Sequence, residues 1–101
     1  MIAEEQLVEE LHEAAAARIT AWLSDYLAEL LALQPGEIDV EQSFARYGLD
    51  SSAAVGMTGD LGTWLSVDID PAAAYDYPTI ASLSGYLAKD PRVLASLRKL
   101  S

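Results

Sequence analysis

The strongest constraint on the fold is a run of apolar residues at three- and four-residue spacing in the first third of the chain. This spacing places the side chains on one face of an α-helix. The alanines at 14–17 favour the same conformation. We predict a helix from Ala14 to Leu33 that Pro35 and Gly36 terminate. Its apolar face, widened by Trp22 and Tyr26, comprises Ile19, Leu23, Leu27, Leu30 and Leu31.

Helical patterns also dominate the rest of the chain. Ser51 to Leu65 is predicted as a helix, Ala72 to Tyr75 as a short one, and Arg92 to Leu100 as the last. Asp70, Thr79 and Asp90 precede helices as N-caps, two of them before a proline. We expect two inward stripes: Ala54, Met57, Thr58, Leu61 and Leu65 in one helix, and Ile80, Leu83, Tyr86 and Leu87 in the helix after Thr79.

No segment shows the alternating pattern of a strand. The sequence therefore predicts an all-α fold, a small bundle of three main helices plus one short helix. We divide the chain into an acidic N-terminal extension (1–13), a main domain (14–88) and a basic helical tail (89–101). The tail could fold back onto the acidic N-terminus. The extension is read as frayed and solvated; the alternative is a docking helix for another subunit.

Composition excludes several classes of function. The 101 residues carry a net charge of −10, so nucleic acid and anionic membranes are not expected partners, whereas proteins with basic docking patches are. The chain has no cysteine, so the sulfur of any thioester must come from an added group. Neither a signal peptide nor a membrane-spanning run is apparent, which predicts a cytoplasmic protein.

No set of residues suggests catalysis or a metal site. The sequence offers no Ser-His-Asp set, and the single histidine, His12, reads as a surface residue. Glu37, Asp39 and Glu41 superficially resemble a calcium loop, but Gln42 stands where that loop requires glycine. We therefore predict a protein that is not an enzyme and binds no metal.

The most informative motif is Gly48-Leu49-Asp50-Ser51, at the start of the helix that runs to Leu65. Asp50 and Ser51 suit a helix N-terminus, and Gly48 can adopt the left-handed conformation that reverses the chain. Leu49 is expected to pack into the core, as is Phe44. Ser51 then lies exposed at the positive end of the helix dipole, where a phosphate is favoured. On these residues alone, a plain helix cap is the better interpretation.

A family resemblance reverses that preference. Gly48-Leu49-Asp50-Ser51 resembles the Gly-x-Asp-Ser attachment motif of acyl carrier proteins. Downstream, residues 75–80 (YDYPTI) resemble the Phe/Tyr-Asp-Tyr-Pro-Thr segment of polyketide synthase carrier domains. The resemblance extends from about Ile19 to about Leu87. It implies that Ser51 carries phosphopantetheine derived from coenzyme A, whose thiol holds an acyl group as a thioester, with Gly48, Leu49 and Asp50 as supporting residues.

The resemblance also implies partners and a pathway type. They are a phosphopantetheinyl transferase, an acyl-loading enzyme (an adenylating ligase or an acyltransferase), and a ketosynthase or other synthase domains, in polyketide or related lipid biosynthesis. The initial methionine and the short flanks lead us to expect a free-standing carrier, although an excised module would look similar. The alternative is an acidic helical adaptor without a prosthetic group, in which the motif is only a capped turn.

The predicted docking surface lies on the helix that follows the motif. The small and apolar positions Ser52, Val55, Gly56 and Gly59 are expected to contact partners. Asp60 is the only acidic residue of this helix after the motif, so few ion pairs are expected. Glycine is costly in a helix, which suggests that Gly56 and Gly59 permit close approach. We interpret Gly62 as structural slack and expect alanine to raise stability at all three positions.

Overall fold

The computed structural model describes residues 3–100, and within this range the chain is helical without strands. The helices are α1 (Glu4–Leu31), α2 (Ser51–Leu65), α3 (Ala73–Asp76), α4 (Ile80–Leu87) and α5 (Pro91–Leu100). Two 3₁₀ turns, at Pro35–Glu37 and Ala45–Tyr47, lie in the long connection between α1 and α2. The all-α prediction is confirmed.

One hydrophobic core holds the helices together, and α1 packs most extensively against α4. The inward stripe predicted for α2 is buried throughout. Burial of these side chains is the main stabilising term of a domain this small. The largest fully buried apolar side chains are Ile19, Leu23, Leu27, Met57, Leu61, Leu65, Ile80, Leu83 and Val93.

The first helix differs from its predicted bounds at both ends. It begins at Glu4, so the predicted start at Ala14 and the frayed reading of the extension are wrong for residues 4–13. Glu4 and Glu5 favour a helix start because they face the positive end of the helix dipole. At the other end, Ala32 adopts a left-handed conformation (φ 55°, ψ 43°) and terminates the helix before Leu33. The division at residue 13 and a docking role for 1–13 remain predictions.

Two predicted inward residues point outward. Leu30 is half exposed because the buried stripe of α1 advances in steps of four residues through Ile19, Leu23 and Leu27, and Leu30 falls off that line. Tyr86 is 47% exposed and stacks on Tyr77, with ring centroids 4.2 Å apart. Aromatic stacking of this kind lets a tyrosine keep its hydroxyl in water.

The predicted caps are present at α4 and α5 but not at α3. The N-cap of α3 is Ala72, and the Asp70 side chain accepts from the Ala72 backbone N–H (2.9 Å) in the turn before that helix, so the prediction of Asp70 as its N-cap is wrong. At α4, the Thr79 side chain accepts from the backbone N–H of Ser82 (3.0 Å). Asp90 accepts from the backbone N–H of Arg92 at 2.8 Å. These bonds satisfy amide groups that the first turn of a helix leaves unpaired.

The basic tail packs back onto the bundle. In α5, the Leu97 carbonyl accepts from the Arg18 guanidinium of α1 (2.9 Å), and the Ser96 hydroxyl donates to the Leu65 carbonyl of α2. Just before α5, Lys89 lines a shallow groove together with Glu5 and other residues of the acidic start of α1. The tail therefore packs against α1 at Arg18 and against α2 at Leu65, whereas its fold-back onto the acidic N-terminus stays a prediction.

Candidate functional site

The motif Gly48-Leu49-Asp50-Ser51 forms a tight turn into α2. Gly48 has φ +88°, a conformation that strains residues with a side chain. The Asp50 carboxylate accepts from the backbone N–H of Ala53 (2.9 Å), which makes Asp50 the N-cap and Ser51 the first residue of α2. Leu49 is half-buried against the core, whereas Ser51 is exposed. The structure thus exposes a hydroxyl at the positive end of a four-turn helix.

The two sequence motifs meet in space. The backbone N–H of Phe44, four residues before Gly48, donates to the Pro78 carbonyl at 2.8 Å. The Phe44 carbonyl in turn accepts from the backbone N–H of Leu49 (3.2 Å), and the Phe44 side chain is buried. This relay of backbone bonds fixes the turn before Ser51 relative to the segment before α4.

A second hydroxyl lies against that of Ser51. The phenolic oxygen of Tyr75, on α3, is 2.6 Å from Ser51 Oγ, and either oxygen can donate the hydrogen bond. Tyr75 is 64% exposed, while its neighbours Ala73 and Ala74 are buried and anchor α3 to the core. In the sequence, Tyr75 stands out only as part of the second motif. Its signal was a hydroxyl at a position where the family pattern allows either phenylalanine or tyrosine.

Ser51 and Tyr75 border an open groove between α2 and α3 with a volume of about 320 Å³. Most of its lining is apolar, from Leu49, Ala54 and Pro78 among others. Apolar grooves with a few polar groups are the usual form of small-molecule sites. The groove therefore offers a surface on which a flexible group attached nearby can lie.

The predicted docking residues share one exposed face of α2. Ser52, Val55, Gly56 and Gly59 are exposed and recur at helical spacing. At the edge of this face, Asp60 accepts a hydrogen bond from the Tyr26 hydroxyl of α1 at 2.9 Å. The pKa of Tyr26 is raised, mainly because burial disfavours the charged phenolate and secondly because of the hydrogen bond to Asp60. The acid that follows the motif in α2 is therefore already engaged within the protein.

Gly62 does not behave as predicted. It is buried, and a Cβ placed there would lie 2.6 Å from the Val67 carbonyl oxygen. That oxygen belongs to backbone that turns back over α2, since the Val67 N–H donates to the Gly62 carbonyl (3.0 Å). The interpretation of Gly62 as slack, and the expected gain in stability from Gly62→Ala, are wrong. A Cβ at Gly56 or Gly59 meets no other atom within 4 Å.

Residues 3–100 contain neither a metal cluster nor a helix suited to a membrane. No group of three or more histidine, aspartate or glutamate side chains is arranged to hold a metal ion in this part of the chain. Over the same residues, no helix combines the length and apolarity that crossing a bilayer requires.

Comparison with known proteins decides the family. The family model described as "Phosphopantetheine attachment site" matches residues 21–87, more than half of the chain and a range that includes both motifs. The chain belongs to the phosphopantetheine-binding carrier protein family. The cofactor of this family is phosphopantetheine, which confirms the predicted cofactor. The predicted acyl-carrier-like fold is confirmed by the helical structure and by the solved relative described below.

Relatives of this carrier protein include an acyl carrier protein and a polyketide synthase. The chain is 36% identical over 70 residues to the acyl carrier protein TtuC of Teredinibacter turnerae, covering 69% of this chain and 80% of the relative. It is 36% identical over 72 residues to a phenolphthiocerol/phthiocerol polyketide synthase of Mycobacterium tuberculosis, covering 71% of this chain and 4% of that synthase. Carrier domains of such synthases work with synthase partners.

The fold of the carrier protein also matches a solved relative. The acyl carrier protein Asl1650 of Anabaena, described as having a variant phosphopantetheinylation-site sequence, superposes with a TM-score of 0.71. It is 39% identical over 75% of this chain and 86% of its own. Function as a carrier of acyl intermediates on phosphopantetheine follows from these matches.

Proposed function

We propose that Ser51 is the residue to which phosphopantetheine is attached, and that this carrier protein holds acyl intermediates of polyketide or related lipid biosynthesis there. The observation that carries the assignment is the exposed Ser51 hydroxyl, directly after the Asp50 cap, within the range that the family model matches. Ser52 is also exposed, but it lies about 100° further around the helix.

The residues at this turn fit the phosphate end of the cofactor. The first backbone N–H groups of α2 and its dipole favour an anion beside Ser51. Gly48 has no side chain to obstruct the approach, and no atom would lie within 4 Å of a Cβ there. The groove between α2 and α3 is adjacent and mostly apolar. A hydroxyl held in this position is accessible to a modifying enzyme.

Attachment is a phosphoryl-transfer reaction in which Ser51 is the nucleophile. The bond from Ser51 Oγ to phosphorus forms as the pyrophosphate bond of coenzyme A breaks. The serine proton passes to a base of the partner enzyme, and adenosine bisphosphate is the leaving group. When attached, phosphopantetheine supplies the thiol that holds the acyl group, which is needed because this chain has no cysteine. A flexible tether raises the effective concentration of that acyl group at a partner's active site.

The proposed partners follow from this chemistry. A phosphopantetheinyl transferase modifies Ser51, an adenylating ligase or acyltransferase loads the thiol, and a ketosynthase or another synthase domain receives the acyl group. The carrier protein itself is proposed to be non-catalytic and cytoplasmic. Its docking surface is proposed to be the exposed face of α2 formed by Ser52, Val55, Gly56 and Gly59.

Intact mass spectrometry tests the assignment directly. The wild-type chain is co-expressed with a phosphopantetheinyl transferase of broad specificity, beside Ser51→Ala and the matched control Ser52→Ala. We expect the mass increase of phosphopantetheine in the wild type and in Ser52→Ala, and none in Ser51→Ala. A modified Ser51→Ala protein would refute the site. An unmodified wild type would instead favour the adaptor without a prosthetic group.

A further inference from the structure

The hydrogen bond between Ser51 and Tyr75 places a proton donor at the proposed attachment point. The two oxygens are 2.6 Å apart, within the usual range for a bond between hydroxyls. Ser51 begins α2, whereas Tyr75 belongs to the four-residue helix α3. The hydrogen bond therefore links the N-terminus of α2 to α3 at the edge of the groove that both helices border.

Attachment at Ser51 changes what this bond can be. Before it, each hydroxyl can donate to the other. Afterwards Ser51 Oγ is an ester oxygen without a proton, so only Tyr75 can still donate. The adjacent non-bridging phosphate oxygens carry negative charge and are stronger acceptors than the ester oxygen. A donor that already lies within hydrogen-bond distance of Oγ is suited to that new acceptor.

We propose that Tyr75 is a positioning residue for the phosphate attached to Ser51, and that its hydroxyl donates a hydrogen bond to a non-bridging phosphate oxygen. This inference rests on Ser51 as the attachment site. The buried Ala73 and Ala74 keep α3 on the core, so the Tyr75 hydroxyl stays beside the N-terminus of α2. The bond directs the base of the flexible arm toward the α2–α3 groove.

The exposure of Tyr75 supports a role in binding more than a role in stability. With 64% of its surface accessible, the side chain contributes little apolar burial to the core. Tyr77 and Tyr86 show the contrast, since their rings stack on each other 4.2 Å apart. Replacing Tyr75 by phenylalanine removes the donor and leaves the ring. Tyr86→Phe is a matched control, because Tyr86 is also exposed but its ring packs against Tyr77.

The test uses phosphorus NMR on the modified proteins. Wild type, Tyr75→Phe and Tyr86→Phe are each converted to the phosphopantetheine form, with the arm on Ser51 verified by mass. We expect the phosphodiester resonance of Tyr75→Phe to be displaced from that of the wild type, and that of Tyr86→Phe to coincide with it. A Tyr75→Phe resonance that coincides with the wild type overturns the role of Tyr75, whereas absence of the arm from wild-type Ser51 overturns the proposed function itself.

Transferase kinetics give a second, independent readout. A donor to the charged phosphoryl group strengthens as the group is transferred, so its loss lowers kcat more than it raises KM. We expect kcat for the modification of Tyr75→Phe to fall about two- to tenfold, the range that one hydrogen bond corresponds to. A higher KM at unchanged kcat overturns the proposal, because it indicates that Tyr75 only shapes the docking surface.

Discussion

The backbone N–H of Phe44 donates to the carbonyl oxygen of Pro78 at 2.8 Å. This bond joins the loop before α2 to the segment before α4. Next to it, Ser43 and Thr79 form an isolated antiparallel β-bridge. Proline has no N–H but keeps its carbonyl as an acceptor. The two motifs that identify the family are therefore one structural unit, and the position of Ser51 depends on both.

The three glycines of α2 are expected to respond differently to alanine. Gly56→Ala and Gly59→Ala should each raise the free energy of unfolding by about 0.5–1 kcal/mol, because alanine is the better helix former and the new Cβ meets open space. Gly62→Ala should lower it by about 1–3 kcal/mol through the close contact with the Val67 carbonyl. Urea denaturation measures all three. Equal gains at all three positions would contradict the close approach of the Val67 carbonyl to Gly62 at the end of α2.

Acyl loading tests whether the open glycines are contact positions. Gly56→Ala and Gly59→Ala should slow loading by the cognate partner, since each adds a methyl group on the exposed face of α2. Gly85→Ala is the matched control, because Gly85 is a helical glycine of α4 with equally open surroundings. Loading rates unchanged in both α2 variants would mean that these glycines are merely tolerated.

Partner binding should depend only weakly on salt. The proposed docking face of α2 carries no charge at its four named positions, and Asp60 beside it is hydrogen-bonded to Tyr26. Exposed ion pairs contribute ~0.2–1 kcal/mol each, so the Kd should change by less than about threefold across a salt series. Isothermal titration calorimetry measures it. A steep loss of affinity would show that the overall charge of −10 steers binding instead.

Ala32→Gly should stabilise the protein. Ala32 occupies the left-handed region at the end of α1, where residues other than glycine are strained. The left-handed conformation costs an L-residue about 1–2 kcal/mol, and the greater backbone entropy of glycine offsets about 0.5–1 kcal/mol of this. We therefore expect a net gain of about 0.5–1 kcal/mol in the free energy of unfolding. The control is Ala21→Gly, at an exposed position within α1, which should lose about 0.5–1 kcal/mol. Losses of equal size at both positions would argue against the left-handed cap.

The ion pair before α5 should make stability depend on pH. Arg92 donates to Asp90 at 2.8 Å and lowers the pKa of that carboxyl below its ordinary value of 3.8. A lowered pKa in the folded state contributes stability above the unfolded value, and the contribution is lost as pH falls through the folded value. The Tm difference between wild type and Asp90→Asn should therefore stay constant near neutrality and shrink below pH 3.8.

The matching variant of this pair is Arg92→Gln, which keeps the Asp90 cap but removes the cation. In the Arg92→Gln background, the Tm difference caused by Asp90→Asn should depend less on acid pH. The reason is that the side-chain hydrogen bond from Arg92, which is the main cause of the lowered pKa of Asp90, is removed. The effect is small, since Arg92 is mostly exposed and its pair is screened by solvent. An identical pH profile in both backgrounds would remove Arg92 from the explanation.

Much of the site could be predicted from the sequence because its signals are local. The bounds of α2, the Asp50 cap, the glycine turn and the burial of Phe44 depend on a few neighbouring residues and were predicted correctly. Capping and helical periodicity act within one or two turns, so they can be read from residue order.

Other features depended on which elements meet. The sequence alone did not reveal that Tyr75 reaches Ser51, that the Val67 carbonyl covers Gly62, or that Tyr86 turns outward to stack on Tyr77. The Tyr75–Ser51 and Tyr86–Tyr77 contacts join segments whose relative placement is set by packing of the shared core, for which residue spacing within a single helix carries no information. The Val67 carbonyl is placed by the local turn that ends α2, where Ser66 adopts a left-handed conformation (φ 54°) and the Val67 N–H donates to the Gly62 carbonyl. A left-handed serine is uncommon, so residue order does not indicate this turn. Tertiary packing therefore decided which hydroxyl lies beside Ser51, and the backbone turn after α2 decided which of its glycines has no room for a side chain.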